Sequence, residues 1–237
     1  MLSFKQYTIE ATNIGISRTK LMREINGLTR TFVDKEVTIA QATKYLREVL
    51  TSILDCKVSY GRSPGVSSNT INVIGYYDAE KDEDGEEPFE FVIMFNPKDT
   101  KVAMSKNYWN WFKNELADAI MHEMTHQGQQ HARGFGVDSK EYKGKTEDQS
   151  YYGNRDEIEA YAMNAANELN RAYLSTKSAI KALAKPYEIG EKSAPSLQRY
   201  IEAFQSTDHP IMKVFLKKVY QFLQTVPKRD YTKNLKR

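Results

Sequence analysis

His122-Glu123-Met124-Thr125-His126 is the part of this 237-residue chain best suited to chemistry. In a helix, a four-residue step turns the chain by about 400°, which sets the two imidazoles one turn apart on one face. Both rings can then reach a single divalent ion, and the expected cofactor is Zn2+, which takes imidazole nitrogen in a tetrahedral shell. Glu123 lies about 100° round the axis from His122, too far to ligate easily beside both histidines. A carboxylate there can take a proton from a water at the ion and return it to a leaving nitrogen. The expectation is a metal centre with His122 and His126 as ligands and Glu123 as general base.

A catalytic zinc site also needs a third protein ligand and an open position. The one cysteine, Cys56, lies among Ile53, Leu54 and Val58 and reads as buried and inert, so neither a thiolate site nor an intrachain disulfide is available. His131, His209 and the carboxylates remain. The metzincin spacing H-E-x-x-H-x-x-G-x-x-H is not met, because Gly128 and His131 each arrive one residue early. His209, in Asp208-His209-Pro210, stands at an expected helix start, where capping accounts for it. The run Asp156-Glu157-Ile158-Glu159 opens a further expected helix, a place the helix dipole favours for carboxylates in any case. With Ile158, Ala162, Ala165, Leu169 and Ala172 as its buried stripe, Glu157 and Glu159 project to opposite flanks at similar angles, and periodicity leaves the choice open. Tyr151 and Tyr152 close the preceding loop, and Tyr152 is the phenol expected to stabilise an oxyanion.

The motif His122 to His126, followed by Glu157-Ile158-Glu159-Ala160-Tyr161-Ala162, resembles the gluzincin class of zincin metallopeptidases, in which a glutamate on a second helix completes the site. The resemblance spans roughly residues 38–175. It implies Glu157 as the third ligand, a zinc-dependent peptidase activity, and an edge strand at Phe89–Phe95 that aligns an extended protein or peptide substrate. Tyr161 stands where the class often has an aspartate supporting the histidines. HEMTHQ with the later EIEAYA is also similar to small H-E-x-x-H proteins of bacteria and tailed phages, and MLSFKQYTIEA to the starts of many phage-encoded proteins.

The elements that must carry these residues follow from the apolar spacing. Helices are expected over 17–32 and, behind a Thr38 cap, over 39–54, where Ala42, Tyr45, Leu46, Val49, Leu50 and Ile53 recur at helical spacing. Strand-like runs Lys57–Tyr60, Ile71–Tyr77 and Phe89–Phe95 form a small sheet with at least one hairpin, whose acidic stretch Asp78–Glu87 reads as a solvated tip. The motif helix is expected over 107–133, with Trp109, Phe112, Leu116 and Ile120 on the side opposite the histidines. A Gly- and Tyr-rich loop from Gly134 to Gly153, of the kind that forms lids, leads to a helix from Arg155 to about Ala184, then to helices over 196–205 and 211–225. The expected class is α+β: an N-terminal helical segment (1–37), a zincin-like catalytic core (38–185) and a helical, basic C-terminal extension (186–237).

Charge is uneven. Residues 1–170 carry 20 Lys/Arg against 26 Asp/Glu, and residues 171–237 carry 14 against 5. Such a basic C-terminal segment suits nucleic acid or an acidic protein, although lysines on the outer faces of amphipathic helices give the same count. The alternative to an enzyme is therefore a zincin-fold binding module without turnover. Residues 1–20 hold no signal-peptide core and no apolar stretch is long enough to span a bilayer, so a cytoplasmic location with no membrane partner is expected. Substrate identity and oligomeric state have no sequence signal.

Overall fold

Ser17 and Thr38 act at helix starts as their residue types predict. The Ser17 side chain accepts the Lys20 backbone N–H and opens α1 (Arg18–Gly27), which turns at Leu28 into the short α2 (Thr29–Phe32) in place of one continuous helix. After β1 (Glu36–Thr38), Thr38 accepts the Gln41 N–H while the Gln41 side chain takes the Thr38 N–H. This reciprocal cap, worth about 1 kcal/mol, fixes the start of α3 (Ile39–Ile53), whose Ala42, Leu46 and Leu50 are fully buried. The computed structural model describes residues 17–135 and 141–225; its fold is α+β, in two compact units, Met1–Gly136 and Val137–Arg237.

The main sheet of the first unit comprises β2 (Cys56–Arg62), β3 (Ile71–Tyr77) and, after the short α4 (Ala79–Glu83), β4 (Phe89–Phe95). The spatial order is β2-β4-β3, with β2 parallel and β3 antiparallel to β4. Phe89–Phe95 is thus the central strand, contrary to its expected place at the edge. The reason is visible in its residues: Phe89, Phe91, Ile93 and Phe95 are buried on one face and Val92 and Met94 half-buried on the other, the near-continuous apolar run of a strand covered by neighbours. The edge beside the motif helix is β3, between Ile71↔Phe95 and Tyr77↔Phe89. A further strand, β5 (Lys101–Ala103), pairs with β1.

The acidic connection is not a fully solvated tip. Asp78 caps α4, and Asp82 turns inward, accepting hydrogen bonds from the Tyr77 hydroxyl (2.7 Å) and the Gln127 amide (3.2 Å). Burial, then the Asp82 hydrogen bond and charge, raises the Tyr77 pKa well above the phenol range. Ser105 caps α5 (Lys106–Arg133), the motif helix, which ends where Gly134 takes a left-handed conformation (φ 68°). Trp109, Phe112, Leu116 and Ile120 are buried as expected. Trp109 stacks on Phe32 at 5.1 Å and donates its indole N–H to Thr29, which fixes the base of α5 against α2.

The second unit is helical among its described residues. The end of the expected loop is a helix, α6 (Glu147–Gly153), capped by Thr146, so Tyr151 and Tyr152 ride on a helix. The long helix expected from Arg155 stops at Ala172. There Tyr173 is extended and Ser175 and Ser178 cap each other to start α8 (Thr176–Leu183) after α7 (Arg155–Ala172). A 3-10 turn (Pro186–Glu188) leads to α9 (Pro195–Phe204) and α10 (Pro210–Thr225), both packed on α7. Alanines 160, 162, 165 and 166 of α7 are fully buried, and their small size lets the neighbouring helices approach. The α9 N-cap, Ala194, has no side chain to cap with. Glu168 of α7 substitutes, accepting the Ser196 backbone N–H (3.0 Å) and hydroxyl (2.6 Å) in a buried setting. Among the described residues no helix is long and apolar enough to cross a membrane. The basic tail Lys228–Arg237 and the first sixteen residues lie outside the described residues.

Candidate metal centre

The motif helix does to its histidines what the spacing predicts. The Nε2 atoms of His122 and His126 are 3.1 Å apart, with the rings nearly perpendicular. His126 Nδ1 faces the Gln129 side-chain oxygen at 3.0 Å. An amide oxygen only accepts, so Nδ1 carries the proton and Nε2 of the neutral ring presents a lone pair. Gln129 is 3% exposed, one turn beyond His126 on the same helix face, and it fixes ring and tautomer together. Sequence reasoning missed it, although an amide three residues after a candidate ligand carries that signal. Two facing imidazole nitrogens at this separation repel unless a proton or a cation lies between them. Zinc bonds of about 2.0–2.1 Å in a tetrahedral shell put ligand nitrogens roughly 3.3 Å apart, close to the observed spacing.

Glu123 is buried beside them, 8% exposed, and lies against β3. The approach is close enough that a Cβ at Gly75 would stand 2.8 Å from the Glu123 Cγ and 3.3 Å from its Oε1. Only glycine lets the strand pass there. At the start of β3 the Tyr108 hydroxyl accepts the Ile71 N–H (3.0 Å) and donates to the Ile71 carbonyl (2.8 Å). Ile71 therefore directs its main-chain groups away from β4, and by strand alternation so do Val73, Gly75 and Tyr77. Among the described residues no strand pairs with that side of β3.

One turn before His122, the buried Asp118 receives Arg18 of α1 at 2.9 Å, a second anchor of α5. The remaining histidines are accounted for locally. His131 contacts Asp82 at 2.8 Å, and His209 accepts the Ile211 N–H at the start of α10 while its ring packs on Phe204.

On α7, Glu157 and Glu159 have different surroundings. Glu159 is held by Lys218 of α10 at 2.6 Å, an ion pair that ties two helices together. Glu157 faces a group of phenols. Burial, then the Glu157 charge, raises the Tyr151 pKa far above the usual range, and the Tyr151 hydroxyl interacts with both Tyr161 and Glu157. Tyr152 packs edge-on against Tyr161 at 5.2 Å and tilted against Tyr200 at 5.4 Å. Its pKa is pushed up to about 12, mainly by burial and then by Tyr161, toward which its hydroxyl is turned. Tyr200, fully buried and stacked on Phe215 at 3.7 Å, is held protonated by burial and then by the Glu157 charge.

One nitrogen from each of His122 and His126 and one carboxylate oxygen of Glu157 lie within 4.8 Å of one another, and among the described residues this is the single grouping of three or more His, Cys, Asp or Glu side chains at metal-ligand spacing. The donor set is the two-histidine, one-carboxylate set of catalytic zinc sites. No family model matches this chain, and neither a curated protein nor a solved structure matches it significantly.

Proposed function

We propose that this chain is a zinc-dependent metallohydrolase, a gluzincin-like peptidase with a zincin-like core, in which His122, His126 and Glu157 hold Zn2+ and Glu123 is the general base. The observation that carries the reading is the clustering of those three ligand side chains, with the paired Nε2 atoms 3.1 Å apart. Zinc bound by this set supplies Lewis acidity, polarising a carbonyl and acidifying water. Glu123 takes the proton of the attacking water and gives it to the leaving nitrogen. The side chain is buried against Gly75, so its carboxylate has little freedom to turn away. Gln129 keeps the His126 lone pair directed at the ion.

In this reading an extended substrate lies along the outer side of β3, where Gly75 offers its N–H and carbonyl beside the base and Val73 its carbonyl, the Val73 N–H being held by the Asn72 side chain (2.9 Å). Tyr152 donates a hydrogen bond to the carbonyl oxygen as it gains charge, a role that requires its hydroxyl to turn from Tyr161. The proposed substrates are proteins or peptides, and the proposed location is the cytoplasm. The binding-module alternative draws less support: of Lys213, Lys217 and Lys218, the α10 lysines that would grip an anionic partner, Lys218 is paired with Glu159 and Lys213 with Asp208.

The test is metal analysis and peptide-library cleavage by wild-type protein beside Glu123→Gln. The expected result is about one zinc per chain in both proteins, with cleavage lowered at least about 100-fold in the variant. Undiminished cleavage by Glu123→Gln would remove Glu123 as the base, and protein that binds no zinc would remove the whole reading.

A further inference from the structure

The face of α5 that carries His122 and His126 continues toward the start of the helix. Trp111 precedes His122 by three turns of that helix and falls within about 20° of it around the axis, roughly 16 Å away along the axis. Its indole is 50% exposed, whereas that of Trp109 is fully buried in the core. An aromatic ring left half in water adds little to the fold, because only the apolar area removed from water stabilises it. Exposed apolar side chains also line the nearby strand, where Ile74 and Tyr76 stand on the outer face of β3.

Tyr108 ties the indole to β3. Its hydroxyl holds both outward main-chain groups of Ile71, and its ring lies 5.3 Å from that of Trp111 at a tilt of 38°. Farther along the strand, Gly75 adjoins Glu123. An extended chain on the outer side of β3 that passes the base therefore comes level with Ile71, and with the indole, about four residues on. Main-chain pairing does not carry it that far: the Val73 N–H is held by the Asn72 side chain, and Ile71 is closed by Tyr108. Trp111 stands where the hydrogen bonds of the edge run out, so a chain reaching this point is held there through its side chain.

We propose that Trp111 is a specificity-determining residue, whose indole takes a large apolar side chain, aromatic or branched aliphatic, about four residues from the scissile bond on the Ile71 side of the groove. The proposal rests on the peptidase reading and deepens it by naming the substrate class: extended segments with a bulky apolar residue at that distance from the cut. Main-chain bonds to Gly75 align such a segment without regard to its sequence, and the indole selects among segments. A flat, half-exposed ring suits this task, since it covers a large apolar area and loses little side-chain freedom on contact.

The experiment compares kcat/KM of zinc-loaded, full-length wild type, Trp111→Ala and Trp111→Phe on short peptides in which one position at a time is Phe, Leu, Ala or Ser. Binding of the same peptides to Glu123→Gln is followed by intrinsic fluorescence, where the exposed Trp111 moves to the blue once covered and the buried Trp109 does not. The expected result in wild type is a preference for Phe and Leu over Ala and Ser, about four residues from the cut on one side. Its expected size is about 5- to 20-fold, carried by KM, because one side of the bound side chain stays in water. That ratio is expected to fall near one in Trp111→Ala and to survive largely in Trp111→Phe, with a blue shift when Phe peptides bind Glu123→Gln. A ratio unchanged in Trp111→Ala, or Phe peptides that bind with no blue shift, overturns the proposal and leaves the peptidase reading standing. A ratio lost equally in Trp111→Ala and Trp111→Phe, with a lower melting temperature in both, marks a packing role and also overturns it. Cleavage of no peptide by any of the three proteins overturns the peptidase reading and this role together.

Discussion

At the scale of single residues, the contact between Gly75 and Glu123 connects the sheet to the chemistry most directly. Gly75→Ala would force a methyl to within 2.8 Å of the Glu123 Cγ and 3.0 Å of the Phe91 ring, so one of them must move. Displacements near 1 Å at a reacting group cost about 100-fold in rate. The expected outcome for Gly75→Ala is zinc content equal to wild type with turnover reduced by that order, measured as kcat beside metal content. Equal turnover would show that the carboxylate has room to retreat. The pairing of His122 with His126 and the place of Glu123 beside them could be read from H-E-x-x-H because helix geometry fixes their relation. Gly75 could not, since a glycine in a strand has many explanations and its neighbour here lies far away in sequence. The choice between Glu157 and Glu159 was closed to periodicity for a similar reason: Lys218, which occupies Glu159, comes from a helix that no local pattern connects to α7.

Elements with strong periodicity were legible and short ones were not. The Ile71–Tyr77 and Phe89–Phe95 strands and the α3 cap emerge at their expected places, because alternation, helical spacing and capping chemistry act over several consecutive residues. The three-residue strands β1 and β5 are too short to carry a period, and α6 lay hidden in a polar, Tyr-rich stretch. The order of strands could not be read from the period, yet the FEFVIMF composition already spoke for a central position. At this scale the buried Glu168 cap on α9 makes a testable demand. Glu168→Ala leaves the Ser196 N–H without its carboxylate, and stability is expected to fall by about 1–3 kcal/mol in denaturant titration. A change near zero would mean that α9 starts equally well on its proline alone.

For the molecule as a whole, stability at high pH is tied to a thiol that takes no part in the proposed chemistry. Burial, then the Glu87 and Asp55 charges, push the Cys56 thiol up to about 11 from 9.0. The fold therefore favours the neutral form. Its contribution to stability is complete below the unfolded value and is lost as pH rises from about 9 through about 11. In reducing buffer, wild type is expected to lose more unfolding free energy than Cys56→Ala across that interval, as followed by denaturant melts at each pH. Parallel losses would indicate a thiol that ionises as easily in the fold as out of it. The buried tyrosines add a loss of the same sign in both proteins, so the difference between them isolates Cys56. The single hydroxyl of Tyr108 has a consequence for the molecule in solution. By taking both outward main-chain groups of Ile71, it shortens the run of unmet donors and acceptors that β3 presents to passing chains. A short run, interrupted by a glycine at Gly75, can hold a flexible segment briefly, but it is a poor template for stacking further strands. The same hydroxyl thus works against edge-to-edge pairing of β3 with further strands.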